Sequence, residues 1–235
     1  MMRFLPVRIF AVFLFAIHAG CSFSTEAIPK GYTALFNGRN LDGWESTSDS
    51  SEHWSAHSGI LTFDGIKGDL WTVHDYEDFE LFIRWKWVGD HQGKRRQPLI
   101  NPDGSYQLDS KGERVTVEIE ERDSGIFLRG NSKSQVNIWE WPAGSGEVYG
   151  YRTDPSMPSE TRSRATPLIR ADKPVYEWNT FRIRLRGENL NVWLNDAHVI
   201  QDCPLPGIPL TGPIGLQAHG SAIEFKDIFI QKLTK

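Results

Sequence analysis

The segment Phe79-Glu80-Leu81-Phe82-Ile83-Arg84-Trp85-Lys86-Trp87-Val88 decides how the rest of the chain is read. Phe79, Leu81, Ile83, Trp85 and Trp87 recur at every second position, with Glu80, Arg84 and Lys86 between them. A period of two puts the first set on one face of an extended chain and the second on the other. The segment therefore reads as an antiparallel strand with one buried face and one wet face. No apolar stripe of helical spacing exceeds two turns anywhere in the sequence.

Outward from this strand the pattern repeats. Gly38, Gly43, Gly59, Gly65 and Gly68 punctuate short aromatic and β-branched runs before it. Further strands are expected at Ser124–Arg129, Gln135–Trp139, Thr180–Arg186, Asn191–Leu194, Gly215–His219 and Ala222–Lys232. Many short strands separated by turn residues predict an all-β sandwich. Gly89–Glu113 and Trp141–Lys173 read as long loops, and the basic triplet Lys94-Arg95-Arg96 as a solvated loop face. The chain has 235 residues, 39% of them hydrophobic, which suffices for one large core, and it shows no internal repeat. The net charge of −4 argues against a nucleic-acid partner. Nine tryptophans serve either a large core or an aromatic sugar cleft.

Residues 1–21 read as a signal peptide: Arg3 and Arg8 precede the apolar run Ile9–Ile17, and His18-Ala19-Gly20-Cys21 supplies small residues at a cleavage site. Ala19-Gly20-Cys21 is similar to a bacterial lipobox, in which Cys21 is lipidated. His18 departs from that pattern and leaves simple secretion open. Residues 22–30 form a linker and 31–235 one domain, exported to the periplasm or cell envelope, with membrane contact only through a lipid anchor. Cys203 is expected to pack rather than react.

Three strands share one pattern. Ile126 and Leu128, Val136 and Ile138, and Ile214, Leu216 and Ala218 point inward. The opposite faces then collect Asp123, Arg129, Gln135, Asn137, Trp139, Gln217 and His219. Amides and a guanidinium bond hydroxyls directionally, and an indole covers the apolar face of a sugar ring. His219 is the group in this set that ordinarily titrates near neutral pH. A merely water-facing polar sheet has the same pattern. The acidic run Glu118, Glu120, Glu121 and Asp123 is open to three readings: a glycosidase carboxylate pair, a divalent-cation site, or a solvated edge. It lacks the spacing of a sandwich glucanase and the order of a calcium loop. Glu140 and Glu147 flank the segment 141–146 as further candidate bases.

Gly31-Tyr-Thr-Ala-Leu-Phe-Asn-Gly-Arg-Asn-Leu-Asp-Gly-Trp44 resembles the opening motif of the 3-keto-disaccharide hydrolase domain family. Asp78–Leu81, Asp123–Arg129, Glu177–Thr180, Val192–Asn195, Gly212–Gly220 and Phe225–Ile228 resemble its later motifs in order, spanning Ile28 to Leu233. The resemblance implies a concanavalin-like β-sandwich that acts on 3-keto-glycosides, by 1,2-elimination or hydration. In that chemistry His219 is the acid/base, Arg129 the oxyanion stabiliser, and Gln135, Asn137 and Gln217 position hydroxyls. Trp139 and Asp123 contact substrate, and Glu140 takes the place of a family aspartate. The segment Gln135–Glu140 departs from the family strand in its first carboxylate and its glutamine, and Asp123 replaces an asparagine. A non-catalytic carbohydrate-binding module and a conventional glycosidase are the competing readings. A divalent cation is the one cofactor left open, and a glycoside or oligosaccharide is the expected partner.

Overall fold

A strand with one apolar face is stable only when neighbours extend that face and a second layer covers it. The computed structural model describes residues 28–45 and 48–234. The segment expected to be a signal peptide, Cys21, and the expected linker up to residue 27 lie outside the described residues.

In chain order the first strands are β1 (Thr33–Ala34), β2 (Trp44–Glu45), β3 (Trp54–His57), β4 (Ile60–Phe63) and β5 (Leu70–Thr72). Then come β6 (Phe79–Trp87), β7 (Lys94–Pro98), β8 (Thr116–Glu120), β9 (Asp123–Leu128) and β10 (Asn131–Trp139). The last are β11 (Asn179–Arg186), β12 (Asn189–Leu194), β13 (Ala197–Pro204), β14 (Gly215–Leu216) and β15 (Ile223–Lys232). Three short helices accompany them: α1 (Ser48–Ser51), α2 (Tyr149–Arg152) and α3 (Ser159–Arg164). One sheet runs β13-β12-β11-β6-β15-β4-β3, with β1 added along β15; the other runs β10-β9-β14-β5-β2. The strand pairs in both are antiparallel. The chain is an all-β, concanavalin-like sandwich.

β6 lies near the middle of the larger sheet and shows why the register is unique. Leu81 stands opposite Ile183 and Ile230, Ile83 opposite Phe181, and Trp85 opposite Phe225. All are buried. Ile126, Leu128, Val136, Ile138 and Leu216 of the smaller sheet join the same core. Burying each such side chain stabilises the fold by about 1.5–3 kcal/mol, and a one-residue slip would turn the whole row to water. The outer face of β6 is tied across strands by charge: Lys86 to Glu224 at 2.9 Å, Glu80 to Arg184 at 2.6 Å, and Arg84 to Asp227 at 3.5 Å. Trp44, Trp54, Trp85 and Trp87 belong to the core, so the tryptophan surplus is divided between the core and the rest of the molecule. Cys203 is fully buried, and burial pushes its thiol up to about 12, which makes it an inert packing residue.

Two expectations change. The triplet Lys94-Arg95-Arg96 is not loop but β7, which pairs with β8 in a separate hairpin. Its charges meet the acidic run: Lys94 lies 3.2 Å from Glu118 and Arg95 2.7 Å from Glu121. Second, the strand expected over Gly215–His219 is regular only at Gly215–Leu216. Beyond it single bonds hold the chain, the Gln217 N–H to the Gly125 carbonyl at 2.9 Å and the Ala218 N–H to Asp69 at 2.8 Å.

Candidate active site

β9 and β10 place Trp139 opposite Asp123 and Asn137 opposite Gly125. A side chain at Gly125 would collide with the amide of Gln135, so the glycine lets that amide lie flat over the sheet. There the Gln135 amide donates to the side-chain oxygen of Gln217, which has arrived from β14. Asp123, Gln135, Asn137, Trp139, Gln217 and His219 thus line one groove of about 400 Å³. Asn137 is buried, and its side-chain nitrogen has no hydrogen-bond partner among the described residues. Trp139 is fixed by its indole N–H to the Gly144 carbonyl at 2.7 Å and stacks on Trp141 with ring centres 4.2 Å apart.

The titratable pair is Asp123 and His219, with Nδ1 3.8 Å from the carboxylate. Burial first, and Glu121 second, push the Asp123 carboxyl up to about 7 against the pull of Arg95. The His219 ring is about half exposed, so one partner is buried and the other faces solvent. A carboxyl balanced near neutrality beside an imidazole can accept a proton and pass it on.

Not every residue read onto this face reaches it. Arg129 leaves the strand with φ +52°, one residue past the end of β9, and its guanidinium turns away from the groove. Nε donates to the Glu77 carbonyl at 2.7 Å, Nη1 to the Gly187 and Pro209 carbonyls at 2.8 and 3.0 Å, and Nη2 to Asp78 at 3.1 Å. With its side chain 1% exposed, Arg129 clamps loops together and offers nothing to a ligand. Strand parity misplaced it because parity ends where the backbone turns left-handed. Glu140 also lies outside the groove lining. It accepts from Arg170 at 2.8 Å, and burial raises its carboxyl above the ordinary range. Glu147 is fully buried and paired with Arg152.

Five groove residues escaped the sequence reading: Arg95 from β7, Ser132 from β10, and Trp141, Tyr149 and Gly150 from the segment read as loop. This roof makes the face a groove rather than an open sheet. The aromatic character of Trp141 and Tyr149 was visible, but nothing local shows that residues 141–149 fold back over β10. Among the described residues no group of three or more His, Cys, Asp or Glu is gathered that could hold a metal. Lys94 and Arg95 of β7 pair with Glu118 and Glu121, so within the acidic run these two form a charged edge while Asp123 is buried in the groove.

A two-sheet sandwich with an amide- and indole-lined groove suits a carbohydrate ligand, and the family match places the chain in a carbohydrate-active class. Residues 31–231 match the family described as the 3-keto-alpha-glucoside-1,2-lyase-like domain, and the chain belongs to that family. Among solved structures, one "putative glycosyl hydrolase" from Parabacteroides distasonis ATCC 8503 is 22% identical, with a TM-score of 0.60 over 87% of this chain and 84% of that one. A second from the same organism is 21% identical, with a TM-score of 0.57 over 86% of this chain and 99% of that one. At this identity they establish the fold alone. No curated protein matches the sequence.

Proposed function

We propose that the protein cleaves 3-keto-glycosides by 1,2-elimination. The supporting observation is the Asp123–His219 pair, 3.8 Å apart beside the unpaired amide of Asn137 in one groove. A ketone at C3 acidifies the C2 proton. Asp123 as carboxylate takes that proton, and its C–H electrons pass to an enolate whose oxygen the Asn137 amide receives. The enolate collapses, a double bond forms between C1 and C2, and the bond from C1 to the glycosidic oxygen breaks. His219 supplies the proton that this oxygen needs to leave as an alcohol. Water adding across the new double bond would complete a net hydrolysis. Gln135 and Gln217 orient hydroxyls, and the Trp139–Trp141 stack borders the ring. Export through residues 1–21, with a lipid on Cys21, places this activity in the cell envelope.

The roles are separable. With 3-keto-disaccharides, Asp123→Asn and His219→Ala each lower kcat by about 10²–10⁴. With a 3-keto-glucoside carrying a 4-nitrophenyl leaving group, which needs no protonation, His219→Ala recovers and Asp123→Asn does not. Equal loss on both substrates would reject the assignment. Binding of 3-keto-disaccharides without release would reject the reaction and favour a carbohydrate-binding module. Release from unoxidised disaccharides alone, assayed with and without chelator, would favour an ordinary glycosidase.

A further inference from the structure

His219 lies three residues past the end of β14, beyond the strand ladder that would fix its backbone. Its Nδ1 stands 3.8 Å from the Asp123 carboxylate, longer than the about 2.7–3.2 Å of a hydrogen bond, so the pair does not hold itself together. What places His219 comes from its flanks. On the N-terminal side the Ala218 N–H donates to Asp69 at 2.8 Å. On the C-terminal side the His219 carbonyl accepts from Gln92 Nε2 at 2.6 Å.

The same Nε2 donates to Ser221 Oγ at 2.7 Å, and that oxygen also accepts the Asp123 backbone N–H at 3.1 Å. An amide nitrogen carries two hydrogens and a hydroxyl oxygen two lone pairs, so all three bonds form at once. One chain of hydrogen bonds thus runs from the His219 carbonyl through Gln92 and Ser221 to the Asp123 N–H, and joins the backbones of the two titratable residues. Ser221 is 1% exposed, which keeps water from replacing the middle link. Gly220 makes the approach possible: its φ is +75°, and a Cβ there would lie 2.8 Å from Gln92 Oε1. Gln92 itself sits at the foot of the β7–β8 hairpin, where its N–H donates to the Glu121 carbonyl at 2.8 Å. The hairpin that brings Arg95 over the groove is therefore anchored by the side chain that spaces the pair beneath it.

We infer that Gln92 is a positioning residue: it does not line the groove, and it holds His219 within reach of Asp123 through the hydrogen-bond chain it shares with Ser221. The inference rests on the reading of Asp123 and His219 as an acid/base pair. Both must reach one sugar ring, Asp123 at C2 and His219 at the oxygen on C1, and a misplacement of about 1 Å can cost about 10²-fold in rate.

Gln92→Met keeps the length and removes both donated bonds, and the fold should tolerate it because Gln92 is exposed. Ser221→Ala cuts the middle link. The first measurement needs no turnover. In histidine-labelled protein the His219 ring signal, identified by its absence from His219→Ala, is followed by NMR. Asp123→Asn should move this signal in the intact protein, and move it by about half as much or less in the Gln92→Met and Ser221→Ala backgrounds. The second measurement is cleavage of a 3-keto-disaccharide. Gln92→Met lowers kcat by about 10–100-fold with KM within about twofold, and adding Ser221→Ala costs little more, because a chain broken once is already broken. An Asp123-dependent shift as large in the variants as in the parent, fully additive losses in the double variant, or a circular dichroism spectrum showing a lost fold would overturn the inference. A shift lost in both variants of a protein that cleaves no 3-keto-disaccharide would overturn the reaction and leave Gln92 in this role.

Discussion

At the scale of single residues, Asp123 and Arg129 carry opposite lessons. Both were read onto one face by strand parity, yet Asp123 stays beside His219 while Arg129 is drawn into a cage of carbonyls. Burial disfavours the charged form of Asp123, so between its ordinary value of 3.8 and about 7 the folded protein holds a proton that the unfolded chain has released. Stability contributed by this site is therefore present below that window and falls as pH rises through it, by at most ~1.4 kcal/mol per pH unit. Asp123→Asn should flatten the urea-unfolding profile between pH 4 and pH 7; an unchanged slope would contradict the raised carboxyl. Arg129→Ala strands three carbonyls and part of Asp78. We expect a loss of about 3 kcal/mol or more by denaturant titration, and a Kd for ligand close to that of the parent when measured well below the melting temperature. A large loss of affinity with little loss of stability would return Arg129 to the site.

At the scale of elements, β9 and β10 build the groove floor because their inward residues are aliphatic and their outward ones polar. Gly125 is the adjustable point. A methyl group there meets the Gln135 side chain from Cγ to Nε2 rather than backbone, so the whole side chain must move and the amide is displaced. Gly125→Ala should weaken ligand binding about tenfold while changing stability by no more than about 1 kcal/mol, measured by calorimetry and chemical denaturation. Aggregation or a much larger stability loss would show that the strand cannot spare the glycine. The β7–β8 hairpin was illegible for a different reason. Lys94 and Arg96 stand opposite Glu120 and Glu118, and β7 carries no apolar face of its own, so the hairpin is marked only by β8, where Val117 and Ile119 alternate with Thr116, Glu118 and Glu120.

At the scale of the molecule, one apolar cluster draws on both sheets, from Trp44 and Leu70 to Phe225 and Ile228. Such a shared core predicts one cooperative unit: thermal melts followed by tryptophan fluorescence and by far-ultraviolet circular dichroism should coincide, and separated midpoints would reveal a second unit. The alternation in Phe79–Val88 determined by itself an antiparallel strand with one buried face, because a period of two admits only one way to bury those side chains, and the short strands and turns around it determined the sandwich. The ordered motifs from Gly31 to Ile228 likewise carried the family. Strand parity carried six of the residues that line the groove, Gln217 and His219 among them although the regular strand ends at Leu216. Only the tertiary structure decided that Arg129 is a clamp, that Glu140 lies outside the groove and Glu147 is paired, and that Arg95, Trp141 and Tyr149 roof the site. Those outcomes depend on where left-handed turns and long connections bring distant carbonyls, rings and charges together, and no local pattern in the chain encodes such a meeting.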